Sequence, residues 1–236
     1  MKSRSTILAG LSSSLVASVA APTFAQERPS PPAYSAEAAP FELRMGYRGS
    51  FVESPGYSPF SSNDYMPAFS LAGSAAILTS GRFAFVAGAA WDYGATGATA
   101  RGSDSSLTVH RVTSPLSVRF MIVPWLDVLA TVAPGAQYQG ASIQETSAVA
   151  PLVVSAWVPC GDASLGVAWG FAHVQAGGVP IIMRLTAEGG YAFAAPMSLA
   201  MTPDLPSNSP QRVGGTDLGT LSMNGAFGRV GVAVAF

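Results

Sequence analysis

The sequence predicts an all-β fold, a transmembrane antiparallel up-and-down β-barrel of about ten strands, and three observations predict it. First, in the last eleven residues Val230, Val232, Val234 and Phe236 share one face of a strand, while Arg229, Gly231, Ala233 and Ala235 share the other. Second, the same period of two runs through the chain from Phe41 onward, with charges falling almost always opposite the bulky apolar side chains. Third, apolar residues make up 49% of the chain and charged residues 11%, too few charges to coat an exterior facing water. A soluble barrel would place the charges outside and the apolar face within. Ionisable groups facing lipid near the bilayer midplane would cost roughly 2–4 kcal/mol each, so the charged face is assigned to the lumen. Membrane helices are the competing reading for residues 147–183, but Pro151, Pro159, Gly161, Gly166, Gly170, Gly177, Gly178 and Pro180 break that stretch.

Taken in order, Lys2 and Arg4 precede an apolar run from Ile7 to Ala21, and Thr23-Phe24-Ala25 offers the small residues of a cleavage site. Residues 1–25 therefore read as an export signal peptide. The mature chain would carry 10 Arg, no Lys and 13 acidic residues, a net charge of −3, with no basic patch for nucleic acid. Residues 26–40 are rich in Pro and Ala and read as a periplasmic linker. The barrel occupies 41–236. Phe41, Leu43, Met45 and Tyr47 alternate with Glu42, Arg44 and Arg48; Phe83, Phe85, Trp91 and Tyr93 with Arg82 and Asp92. Leu116, Val118, Phe120 and Ile122 flank Arg119, Leu126 and Val128 flank Asp127, and Met183, Leu185 and Ala187 alternate with Arg184 and Glu188.

Tight turns are expected at Ser80-Gly81, Pro124, Cys160-Gly161 and Ala195-Pro196, where Gly or Pro stands at the turn. Longer polar loops are expected near 54–65, 95–106, 140–147, 175–180 and 205–217. Four turns and five loops join ten strands, or eight if the pair around 197–205 and 218–225 is partly loop. Phe83, Trp125, Trp157, Phe193 and Phe236 are expected beside the tight turns or the terminus, and Tyr93 and Tyr138 at the far ends, as two aromatic girdles.

With its signal peptide, alternating strands, the Val123-Pro-Trp-Leu126 turn and a final Phe236, the chain resembles the small outer-membrane β-barrel superfamily of Gram-negative bacteria. That resemblance covers residues 41–236 and implies an outer-membrane location as a monomer in lipid. It also implies recognition of the terminal Phe236 strand by the barrel-assembly machinery, after delivery by periplasmic chaperones.

The lumen is expected to hold Arg44, Arg48, Arg82, Arg111, Arg119, Arg184 and Arg229 with Glu42, Asp92, Asp127 and Glu188 as partners. Opposite charges meeting across a narrow lumen satisfy one another and close it, which gives a salt-bridged, structural or surface-exposed barrel. The excess of Arg leaves a small anion-favouring pore as one alternative. A loop-mediated adhesin is another, since the loops at 54–65 and 205–217 are rich in Ser, Pro, Gly and Asn and include Tyr57, Phe60 and Tyr65. A hydrolase is the weakest reading. Only His110, near Asp104, Ser105 and Ser106, and His173 are available as bases, and the Asp-x-Asp and Asp-x-His pairs of omptins and the His-x-Ser of lipid A deacylases are absent. The single Cys160 excludes an intramolecular disulfide. No cofactor or metal site is indicated.

Overall fold

The computed structural model describes residues 39–100, 102–145, 148, 150–205 and 214–236. The assigned signal peptide, and the linker apart from Ala39 and Pro40, lie outside the described residues. The strands are β1 (Phe41–Phe51), β2 (Tyr65–Ser80), β3 (Phe83–Ala100), β4 (Ser103–Thr113), β5 (Leu116–Val123), β6 (Leu126–Glu145), β7 (Leu152–Ala176), β8 (Val179–Ala194), β9 (Met197–Pro203), β10 (Thr216–Leu221) and β11 (Gly225–Ala235). A short 3-10 helix, Pro55–Phe60, lies between β1 and β2.

The sheet closes on itself through antiparallel pairs. β1 pairs with β2 on one side and β11 on the other, and the ring continues through β3, β4 with β5, β6, β7 and β8 back to β11. β4 and β5 are two halves of one stave, because both lie between β3 and β6. Pro115 cannot donate to the ladder, but the interruption stays local: Ser114 N donates to Pro134 O (2.8 Å) and Gly88 N to Pro115 O (3.0 Å).

Eight staves therefore make the wall, the lower of the two counts that the sequence allowed. The segment that raised the count to ten forms a hairpin, β9–β10, whose ladder pairing with the wall, among the described residues, is that of Leu152 and Val153 with Pro203 and Thr202. Cys160-Gly161 is not a turn. β7 runs through it unbroken, Cys160 pairing with Gly135 and Ala194. A Gly makes a turn through the left-handed region, and among the described residues the connecting glycines with positive φ include Gly81, Gly102, Gly177 and Gly178, but not Gly161. Gly177-Gly178 consequently forms a two-residue turn at the same rim as Gly81-Arg82 and Pro124-Trp125, where a longer loop was expected at 175–180. β3 runs on to Ala100 and β4 starts at Ser103, so most of the loop expected at 95–106 is strand. Ala195-Pro196 opens the hairpin at the opposite rim.

A row of outward rings divides the wall into two zones. Tyr47, Phe69, Tyr93, His110, Tyr138 and Trp157 are successive register partners across six staves. Tyr93 and His110 centroids are 5.0 Å apart, and those of Tyr138 and Trp157 5.6 Å. Between this belt and the short-turn rim the outward face is apolar and exposed, as at Leu43, Met45, Leu71, Phe85, Leu165, Leu185 and Val230. Aromatic pairs mark the lower edge: Phe41 with Phe236 (6.3 Å), Phe83 with Phe120 (4.8 Å) and Trp169 with Phe171 (6.4 Å). On β3 the stretch from Phe83 to Tyr93 matches the ~9–11 residues that a tilted strand needs to cross a bilayer. Phe193 lies beside the short Ala195-Pro196 connection as expected, whereas Trp157 belongs to the aromatic belt, because no turn forms at Cys160-Gly161.

Candidate functional site: a two-tier barrel interior

Within the apolar band, the inward face holds charges from every stave except β2. One chain of ion pairs begins at Arg44, bonded to Glu188, which also accepts from Arg229 Nη1 (3.2 Å). Arg229 Nη2 reaches Asp92 Oδ2 (2.9 Å), Asp92 Oδ2 also takes Arg48 Nη1 (2.9 Å), and Arg48 continues to Asp162 (2.7 Å). Asp162 Oδ1 then accepts from Arg111 Nη2 (2.7 Å), and Arg111 Nη1 donates to Gln137 Oε1 (2.8 Å). A second group joins Glu42 and Asp127 to Arg119 and Arg184: Arg119–Glu42 2.9 Å, Arg184–Asp127 3.1 Å, Arg184–Glu42 3.4 Å and Arg119–Asp127 3.9 Å. All these groups except Arg44 are buried.

The closing seam places like charges face to face. Arg48 of β1 and Arg229 of β11 are register partners, and opposed like charges destabilise a pair of strands. Asp92, from β3, bonds both, and the Phe227 ring lies under both guanidinium groups, 4.1 Å from Arg48 and 5.6 Å from Arg229.

Of the residues expected in the lumen, Glu42, Arg44, Arg48, Asp92, Arg111, Arg119, Asp127, Arg184, Glu188 and Arg229 lie in these two groups. Arg82 does not. It is exposed in the turn after Gly81 (φ 58), where the alternation has not yet begun, and its carbonyl accepts from Met121 N (2.8 Å). Asp162 is the residue that sequence reasoning missed, because a turn had been assigned beside it. Its even-numbered phase in the run Val158-Cys160-Asp162 was the available signal. The correction changes the charge balance: six Arg face five carboxylates, an excess of one where seven against four had been expected. Two cavities bordering these charges are small, about 30 Å³ beside Arg48, Asp92, Arg111 and Gln137 and about 20 Å³ beside Glu42, Arg44 and Arg119.

Beyond the ring of aromatics the interior changes character. Leu107 and Val109 of β4, Ala141 of β6 and Val158 of β7 face inward against Met197, Leu199 and Met201 of β9, Leu221 of β10, Met223, and Tyr57 and Phe60 of the 3-10 helix. Tyr57, Phe60, Leu107, Leu199 and Leu221 have no solvent exposure. The outward face of the same staves is now polar or small, with Ser106, Thr108, Gly140, Ser142 and Ser155. The 3-10 helix works as a strap across the mouth. Ser105 Oγ donates to Pro59 O (2.5 Å) and Thr96 Oγ1 to Phe60 O (3.3 Å), while on the other side Ser222 N donates to Ser54 Oγ (3.1 Å). Gly56 sits so close to the Thr220 carbonyl that a Cβ there would collide with it. Burial raises the Tyr57 phenol above its ordinary pKa range, and its hydroxyl donates to Tyr65 O (3.1 Å).

The two histidines do not share a site. His110 lies in the aromatic belt, while His173 pairs with Ile182 close to the Gly177-Gly178 turn at the opposite rim. Cys160 is half-buried on the inward face of β7. Among the described residues, no group of three or more His, Cys, Asp or Glu could hold a metal.

A closed antiparallel wall, apolar outside and charged inside between two aromatic belts, defines the class by architecture: a small transmembrane β-barrel. No protein-family model matches the chain, and no curated protein matches it. Two crystal structures of Ail, the attachment invasion locus protein of Yersinia pestis, are similar in fold. One is of Ail itself and the other of its complex with the heparin analogue sucrose octasulfate; each is 12% identical, covering 84% of this chain and 99% of Ail, with TM-scores of 0.46 and 0.48.

Proposed function

We propose that the chain is exported by its N-terminal signal, is assembled through its Phe236 strand, and stands in the outer membrane as a non-conducting, non-catalytic barrel with a structural or surface role. The observation that carries this reading is the filling of both interior zones by described residues: cross-linked charges below the belt and an apolar core above it. A conducting lumen would need water-filled width along its whole length, and the cavities beside the charges are about 30 and 20 Å³, room for one or two waters each. With one Arg in excess rather than three, the ionic zone also offers little selectivity for anions.

Whatever the surface engages meets an acidic rim. Glu53, Asp64, Asp104, Glu145, Asp204 and Asp217 are exposed on the outer side, and among the described residues there no Arg, Lys or His matches them in exposure. Such a rim repels polyanions and attracts cationic partners, more so at low salt. The test of the whole reading is planar-bilayer conductance of the refolded chain. A heat-modifiable, protease-resistant and electrically silent barrel is the expected result; stable steps with anion preference would replace it with the pore.

A further inference from the structure

The apolar band is not uniformly convex. On the face made by β11, β1, β2 and β3 it carries a groove of about 730 Å³, within the size range of lipid- and drug-sized sites. Its floor is Gly73 and Ala89, direct register partners, and Leu43 is the partner of Gly73 on the other side. Leu43, Leu71 and Trp91 wall it, and Phe236 lines it toward the short-turn rim. The floor exists because two outward positions carry almost no side chain: a Cβ at Gly73 would touch nothing closer than the Leu43 Cδ2 at 3.4 Å, so a larger side chain there would fill the groove.

We propose that this groove is a binding site for one acyl chain of a phospholipid from the leaflet on the short-turn side. The inference rests on the membrane reading above and goes beyond it, since a wall of ordinary convexity only exchanges lipid with the bulk. The groove opens onto the lipid-facing band, whose exposed apolar residues Leu43, Leu71 and Phe236 also line it, which makes a lipid tail its occupant. Its outermost wall is Trp91, whose ring lies against Tyr93 and His110 at 6.1 Å each. The tail therefore enters from the Phe236 end, at the level of the inner leaflet.

The experiment extracts the full mature barrel from phospholipid vesicles into mild detergent and measures retained phospholipid per chain by native mass spectrometry. One lipid is expected on the parent barrel and on Ala187→Leu, an exposed outward position that lines no groove, and about tenfold less on the double variant Gly73→Leu, Ala89→Leu. Equal retention by all three, or none by the parent, overturns the proposal. Should the double variant fail to fold, barrels retaining only Trp91 or only Trp169 are extracted from vesicles of acyl-brominated phospholipid. Quenching that persists in detergent at Trp91 and is relieved at Trp169 is the expected result, and relief at both overturns the groove. A chain that never inserts into the vesicles, with neither Trp quenched, sinks the membrane reading itself, a failure distinct from that of the groove.

Discussion

Below the aromatic belt and above it, one strand pattern is used with opposite signs. β4 shows this within a single stave: Arg111 faces inward opposite exposed Val112, whereas two turns of the pleat further out Leu107 faces inward opposite Ser106 and Thr108. The pleat sends alternate side chains to alternate faces in both zones; what differs is the solvent outside. Lipid expels charge, so in the lower zone ionic groups retreat to the lumen and must satisfy one another. Water accepts polar groups, so in the upper zone the apolar face retreats instead and the mouth acquires a core like that of a soluble protein. The lower zone is held by directional ion pairs, and the upper by contact and exclusion of water.

The largest effect that would break this contrast is removal of Asp92. Asp92→Ala leaves Arg48 and Arg229 opposed across the closing seam without the carboxylate they share, each keeping one partner in Asp162 or Glu188, and removing one partner of a buried ion pair costs about 3–5 kcal/mol. Urea unfolding of the refolded barrel, followed by loss of the fast-migrating folded band, should show the midpoint fall well below that of the parent. Reversal at Arg82, exposed in the turn after Gly81, should move it by no more than ~0.5 kcal/mol. An unchanged midpoint in Asp92→Ala would mean that backbone pairing alone closes the seam.

Leu199→Ala tests the upper zone. Leu199 is fully buried beneath the strap, and its truncation should cost about 2–5 kcal/mol. That cost should be local, since the ladder pairing of β9 with the wall is, among the described residues, two residue pairs. The expected result is rapid proteolysis within 195–224 while the heat-resistant band persists; coupled loss of both would show that the cap and the wall fold as one unit.

The solvent argument is sharpened by comparing two outward positions. Val230→Arg puts a charge in the lipid-facing band and should cost about 2–4 kcal/mol, whereas Ser155→Arg, above the belt and exposed, should stay within ~0.5 kcal/mol. Equal costs, measured by reversible unfolding in vesicles, would erase the boundary drawn at Tyr138 and Trp157.

This boundary also explains what was legible in the sequence. The phase of each strand could be read because a charge such as Arg119 or Glu188 tells the two faces apart. In β9 no charge stands among Met197, Leu199 and Met201, and a period of two is the same for a wall stave facing lipid and a cap strand facing a core. The pattern therefore counted β9 and β10 as wall. Asp162 was lost to a different cause: Cys160-Gly161 has the composition of a turn, and only the absence of a left-handed φ at Gly161, invisible in sequence, keeps β7 straight. The strap was hidden because its contacts, Gly56 on Thr220 and Ser54 on Ser222, join residues more than 150 positions apart.

The smallest predicted effect lies at the junction of the zones, where Gln137 and Gln139 follow one another on the inward face of β6. Both are essentially without solvent exposure, yet they are not equivalent. Gln137 Oε1 accepts from Arg111 Nη1, whereas both amide atoms of Gln139 lack a partner among the described residues. A buried polar group without a partner carries its desolvation penalty with no return. Gln139→Leu, nearly isosteric and bordered by Val109 and Ala156 across the ladder, should be neutral or stabilise by up to ~1 kcal/mol. Gln137→Leu should instead destabilise by about 1–3 kcal/mol, because Arg111 loses an acceptor in a buried site. If both changes cost the same, the apolar core does not begin at Gln139, and the ionic zone extends a further step toward the mouth.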